Sequence, residues 1–169
     1  MQSIFIVGAD SHLGRDARAA LSSDFEVVTD STTFGLSEAL QRGQLIDQMR
    51  RFGPFDVVLV CLEINVQREL NYAVDIIPDV LSKPWLVLSV LRELYSPLLD
   101  LDMVVATPES DSGYMWGTNA PEQDVAAAIV DTALKGFRTF AAVNAGLNLR
   151  ECAGLESTLN FVRSLPRRA

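Results

Sequence analysis

"SIFIVGADSHLGRDARAAL" (residues 3–21) decides the fold. Ile4, Phe5, Ile6 and Val7 form an unbroken apolar run that ends at Gly8. Polar residues follow, and then Leu13, Ala17, Ala20 and Leu21 recur at the spacing of one helix face. A continuous run, as opposed to an alternating one, marks a strand covered on both faces. A strand leading through a tight turn into an amphipathic helix is the opening unit of an α/β sheet.

The rest of the chain extends the pattern. Apolar runs recur at "FEVVTD" (25–30), "FDVVLVCL" (55–62), "WLVLSV" (85–90) and "DMVVAT" (102–107). Helical stripes lie between them: Leu36, Leu40, Ile46 and Met49, then Leu70, Val74 and Ile77 before Pro78. "LRELYSPLLD" allows only a short fourth helix. In "PEQDVAAAIVDTALKG", Pro121 and the early acids Glu122 and Asp124 suit a helix start, and Gly136 suits its end. Five such units predict a doubly wound parallel sheet. Beyond residue 137, Leu155, Leu159 and Val162 predict a last helix, and "LPRRA" reads as a chain end or the start of a linker.

Composition narrows the function. The chain has 169 residues, 49% hydrophobic and 21% charged, as expected of one soluble globular domain. No membrane span or secretory signal is evident, which makes the cytoplasm the expected location. A formal charge of −8 argues against a general nucleic-acid surface. One histidine and two distant cysteines, Cys61 and Cys152, match no metal spacing, and no metal or cofactor is expected. Cys152 is expected to be exposed, and a disulfide to Cys61 stays open.

"VGADSHLGRDA" (7–17) permits a nucleotide-binding reading: Gly8 and Gly14 bracket a strand-to-helix junction, and Asp30 ends the second run about 20 residues on. The turn resembles that of the short-chain dehydrogenases, with Ser11 at the middle glycine position. That family uses a tyrosine four residues before a lysine. Here the positions four before Lys83 and Lys135 are Asp79 and Asp131, so the resemblance implies at most a nucleotide binder without the catalytic pair.

A second resemblance spans about residues 3–140. "SIFIVGADSHLGRDARAAL", "FEVVTDSTTFGLSEAL", "FDVVLVCLEI", "WLVLSV" and "APEQDVAAAIVDTALKGFRTF" resemble, in order, segments of response-regulator receiver domains of the LuxR-type branch. The resemblance implies a flavodoxin-like sheet of order 2-1-3-4-5 over residues 1–140. Residues 141–169 would then be a helical extension or the start of a linker. It also implies a degenerate phosphorylation pocket of Asp10, Cys61, Ser89 and Thr107. Asp10 matches one metal-holding acid and Ala9 replaces the other. Cys61 stands at the phosphoacceptor position, and Ala106 or Thr107 at that of the lysine. A thiolate is a poor Mg²⁺ ligand and forms no acyl phosphate.

Each residue also has a plain structural reading: Asp10 as a helix cap, Ser89 as a satisfied strand-end polar residue, Cys61 as a small buried hydrophobe. The insertion "PESDSGYMWGTNA" (108–120) carries Tyr114, Met115 and Trp116 between glycines. These would plug the pocket, form a ligand lid, contact a partner, or cover a sheet edge. The expected function is therefore that of an atypical, phosphorylation-independent receiver-like regulator without enzyme activity. It would act in signal transduction or transcription regulation through homodimerisation, a partner protein or a small ligand, and would reach DNA only through a helix-turn-helix domain not present in this chain. The alternative is the Rossmann-like nucleotide binder lacking the Tyr/Lys pair.

Overall fold

The structure, a computed structural model, describes residues 1–30, 38–63, 86, 89, 90, 92–94, 101–109 and 120–166. They form strands β1 (Gln2–Val7), β2 (Phe25–Thr29), β3 (Val57–Cys61), β4 (Leu101–Thr107) and β5 (Leu147–Ala153). The helices are α1 (His12–Leu21), α2 (Glu38–Phe52), α3 (Ala120–Val143) and α4 (Leu155–Ser164). The sheet is parallel throughout, in the order β2-β1-β3-β4-β5. The expected architecture and strand order are present.

Alternate residues of each inner strand feed two cores. Phe5, Val7, Val58, Val60, Met103 and Val105 face α2 and α3, where Leu45, Met49 and Phe137 cover them. Ile4, Ile6, Val57, Leu59, Val104 and Ala106 face α1 and α4, against Leu13, Ala17, Leu21 and Val162. Burial of one such side chain contributes about 1.5–3 kcal/mol. The amino ends of β1 and β3 are pinned by Asp56, whose Oδ2 accepts from the Ser3 N–H at 2.8 Å.

The strand identities differ from expectation at two places. The described residues of "WLVLSV" are not in a strand: Leu86, Ser89 and Val90 lie in helical backbone, as do residues 92–94. Leu86, Val90 and Leu94 recur at i, i+4 and i+8 and pack into the core beside α2, so the helical period wins over the apolar composition. The fourth strand is accordingly 101–107, and the fifth, β5, falls within the presumed C-terminal extension. It pairs with β4 over seven residues from Leu101↔Leu147 to Thr107↔Ala153. The segment after residue 140 thus supplies the fifth strand of the sheet as well as the last helix.

Gly136 does not end α3, which runs on to Val143 because Phe137, Phe140 and Ala141 continue its core-facing stripe. The reversal comes at Gly146, at φ +91°. Cys152 is buried, at 5% exposure, since it faces α1 and α4 from β5. No helix among the described residues is long and apolar enough to cross a membrane.

Because β5 and α4 close one core, truncation after Phe140 should abolish cooperative unfolding, with thermal melts followed by circular dichroism as the measurement. A sharp transition retained by the 1–140 fragment would show that the first four strands fold alone.

Candidate functional site

The chain reverses its direction of travel across the sheet at β1. The β1–α1–β2 connection moves to one side and every later connection moves to the other. The carboxyl ends of β1 and β3 therefore flank the switch point, the place where open α/β sheets bind their ligands. Gly8 leaves β1 at φ +78°, and a Cβ there would sit 2.6 Å from the Cys61 carbonyl oxygen. Both the backbone angle and the space demand glycine.

The turn is tied locally. The Ser11 N–H and Oγ both donate to the Gly8 carbonyl, at 3.1 and 2.7 Å. Ser11 caps α1, its Oγ accepting from the Gly14 N–H at 2.9 Å. Ser11 and not Asp10 is the cap; Asp10 is exposed in the turn. A Cβ on Gly14 would fall 2.0 Å from the Gly8 carbonyl oxygen, so this glycine lets α1 pack against the end of β1. That is the role of the third glycine in dinucleotide-binding turns. Asp30 directly follows β2, its N–H donating to the Ile6 carbonyl at 3.0 Å.

A carboxylate from across the crevice completes the helix end. Glu63, two residues beyond β3, accepts from the Leu13 N–H through Oε2 at 2.7 Å. Its Oε1 lies 2.8 Å from His12 Nδ1. The Glu63 side chain is 9% exposed and that of His12 61%. Of the first free donors of α1, Gly14 N–H thus goes to Ser11 and Leu13 N–H to Glu63. An acid at this end is favoured by the partial positive charge of the helix.

A second glutamate has a similar position: exposed Glu109, two residues beyond β4, lies beside the start of α4. A Cβ on Gly154, the N-cap, would fall 2.5 Å from Glu109 Oε1. Gly154 N–H donates to the Thr107 carbonyl at 2.7 Å, and buried Thr158 returns its hydroxyl to the Gly154 carbonyl.

The expected pocket is only partly assembled. Asp10, Cys61 and Thr107 do lie at the carboxyl edge. Ser89 stands in helical backbone instead of at a strand end; its Oγ donates to the Leu86 carbonyl and accepts from Arg42 of α2. Tyr114, Met115 and Trp116 lie outside the described residues. Glu63, the residue most engaged with the crevice, belongs to no motif in the sequence. Its spacing from the strand end was the signal available.

Cys61 is a packing residue. Burial first, and the nearby Glu63 charge second, push its thiol up to about 12, so it stays protonated at neutral pH. Cys61 and Cys152 are both in register with Ala106 and flank it on either side. Two strand spacings put them roughly 10 Å apart, beyond the approximately 7 Å limit for a disulfide. Lys135 and Asp131 pair on the surface of α3 at 2.7 Å, and Asp131 stands four residues before Lys135, where the catalytic pair would need a tyrosine.

Comparison with family models finds no match, and neither does comparison with curated proteins. Among solved structures, the chain is similar to a protein from Aeromonas hydrophila described as a short chain dehydrogenase/reductase family oxidoreductase. The TM-score is 0.59 at 14% identity, covering 100% of this chain and 93% of that one. An NADPH-quinone reductase from P. pentosaceus gives 0.45 at 17% identity, covering 91% and 84%. At such identities the first likeness establishes a shared fold.

Two predictions follow from the packing. Gly14→Ala should cost about 1–3 kcal/mol through overpacking, whereas Gly43→Ala, with nothing within 4 Å of its added methyl, should stabilise α2 by about 0.5–1 kcal/mol; urea unfolding of both variants checks the contrast. Second, neither thiol should react with a thiol-specific dye until the chain unfolds. Rapid labelling of the folded protein would place a cysteine at the surface.

Proposed function

We propose that this chain is a Rossmann-like, short-chain-dehydrogenase-like nucleotide-binding protein without dehydrogenase activity. The observation that carries this reading is the β1–α1 turn. Gly8 at positive φ, Gly14 packed against the Gly8 carbonyl and Asp30 at the end of β2 match the outer glycines and the ribose-side acid of a dinucleotide turn at the switch point, with Ser11 at the middle glycine position. The fold shared with the Aeromonas hydrophila protein supports it. In this reading Asp30 accepts from the ribose hydroxyls, and the adenosine half lies across the ends of β1 and β2.

Catalysis is a different matter. None of Tyr72, Tyr95 or Tyr114 is followed four residues later by lysine. Hydride transfer in short-chain dehydrogenases depends on that pair, and this chain has no residue in its place. The proposed role is binding or sensing of the nucleotide. The receiver-like reading is less well supported, because Ser89 lies in a helix bonded to Leu86 and Arg42 and does not end a strand.

The test is thermal unfolding with millimolar ADP-ribose, NAD(H) and NADP(H). A ligand present at one hundred times its Kd should stabilise the fold by about 2.7 kcal/mol. Asp30→Ala should lose most of that shift, and oxidation of NAD(P)H should stay at background. No stabilisation by any of these ligands would remove the reading.

A further inference from the structure

The crevice that the proposed function needs is already occupied from within the chain. A dinucleotide places its pyrophosphate at the amino end of the first helix, where free backbone N–H groups and the helix dipole receive it. Here the Leu13 N–H is given to Glu63 Oε2 at 2.7 Å and the Gly14 N–H to Ser11 Oγ at 2.9 Å. Glu63 reaches this point from β3, fifty residues away in sequence, and its side chain is almost wholly buried there. It carries the same charge and accepts the same kind of bond as a phosphate oxygen.

We propose that Glu63 is an internal occupant of the phosphate position and holds the switch-point crevice closed to phosphate-bearing ligands until it is displaced. The identity of the natural ligand rests on the nucleotide reading above; the occupancy itself rests on Glu63, Leu13 and Gly14. Local capping is already provided by Ser11, so α1 has a cap of the ordinary kind without the glutamate. Glu109, at the same two-residue distance beyond its strand, lies beside the Gly154 start of α4 but is exposed, so burial of the carboxylate is particular to Glu63 in this comparison. The bound ligand must therefore compete with a tethered carboxylate, which makes binding conditional on movement of the residue after Leu62.

Glu63→Ala and Glu63→Gln separate a gate from a plain cap. Gln keeps an oxygen for the Leu13 N–H but removes the charge, so it keeps the measurement possible if the alanine variant fails to fold. Full-length wild-type protein and both variants are titrated at low salt with inorganic pyrophosphate and, separately, with ADP-ribose. Amide signals of Leu13 and Gly14 are followed by NMR. Pyrophosphate should bind Glu63→Ala at least tenfold more tightly than wild type and perturb those two amides first, with Glu63→Gln in between. Equal affinity for pyrophosphate in all three proteins, or perturbation centred elsewhere, would overturn the gate. A gain for pyrophosphate with no ADP-ribose binding would keep the gate and remove the nucleotide reading. Equal ADP-ribose binding by all three would do the reverse.

Discussion

The structure depends on burying β1 on both faces. Ile4, Phe5 and Ile6 have no exposed surface, and they alternate between the α2/α3 layer and the α1/α4 layer. Neither face of the central strands can therefore carry an unpaired polar group, which would forfeit its hydrogen bonds to water. Polar chemistry is driven to the strand ends. Asp10, Ser11, Asp30, Glu63 and Glu109 all follow strands at the carboxyl edge, within a few residues of the last buried position. The crevice at β1 and β3 is a consequence of this sorting combined with the reversal of the chain at β1.

Two glycines then set how close the layers come. Without a side chain at Gly8 the chain turns under the Cys61 carbonyl, and without one at Gly14 the helix settles onto the turn. The same closeness brings the start of α1 within reach of Glu63. The geometry that makes a phosphate turn thus also makes it fillable by a side chain from the neighbouring strand.

The sequence was legible where a strand is covered on both faces. Residues 3–8 and 55–62 read correctly because their apolar runs are continuous, 25–30 because Phe25, Val27 and Val28 keep strand character in a half-exposed strand, and Leu13, Ala17 and Leu21 because one stripe meets one core. It misled at 85–90, where six residues of strand-like composition conceal the Leu86, Val90 and Leu94 helical stripe. It was silent at β5, where "LNLRECA" mixes apolar and charged residues because the strand has only one sheet neighbour among the described residues. The glycine spacing and Asp30 pointed to the switch point from sequence alone. Glu63 did not, since its partners His12 and Leu13 are fifty residues distant, and no local pattern records such a contact.

Among the described residues β5 lies at the margin of the sheet. A strand at a sheet margin offers a row of backbone groups to any neighbour able to extend the ladder. Along β5, Asn148, Arg150 and Glu151 are exposed, and Arg138 grips Glu151 through two guanidinium bonds at 2.6 and 2.8 Å. An approaching strand would have to strip water from these charges and break that fork. The mixed composition that hides β5 from a reading of the sequence is thus of the kind that blunts an open sheet margin.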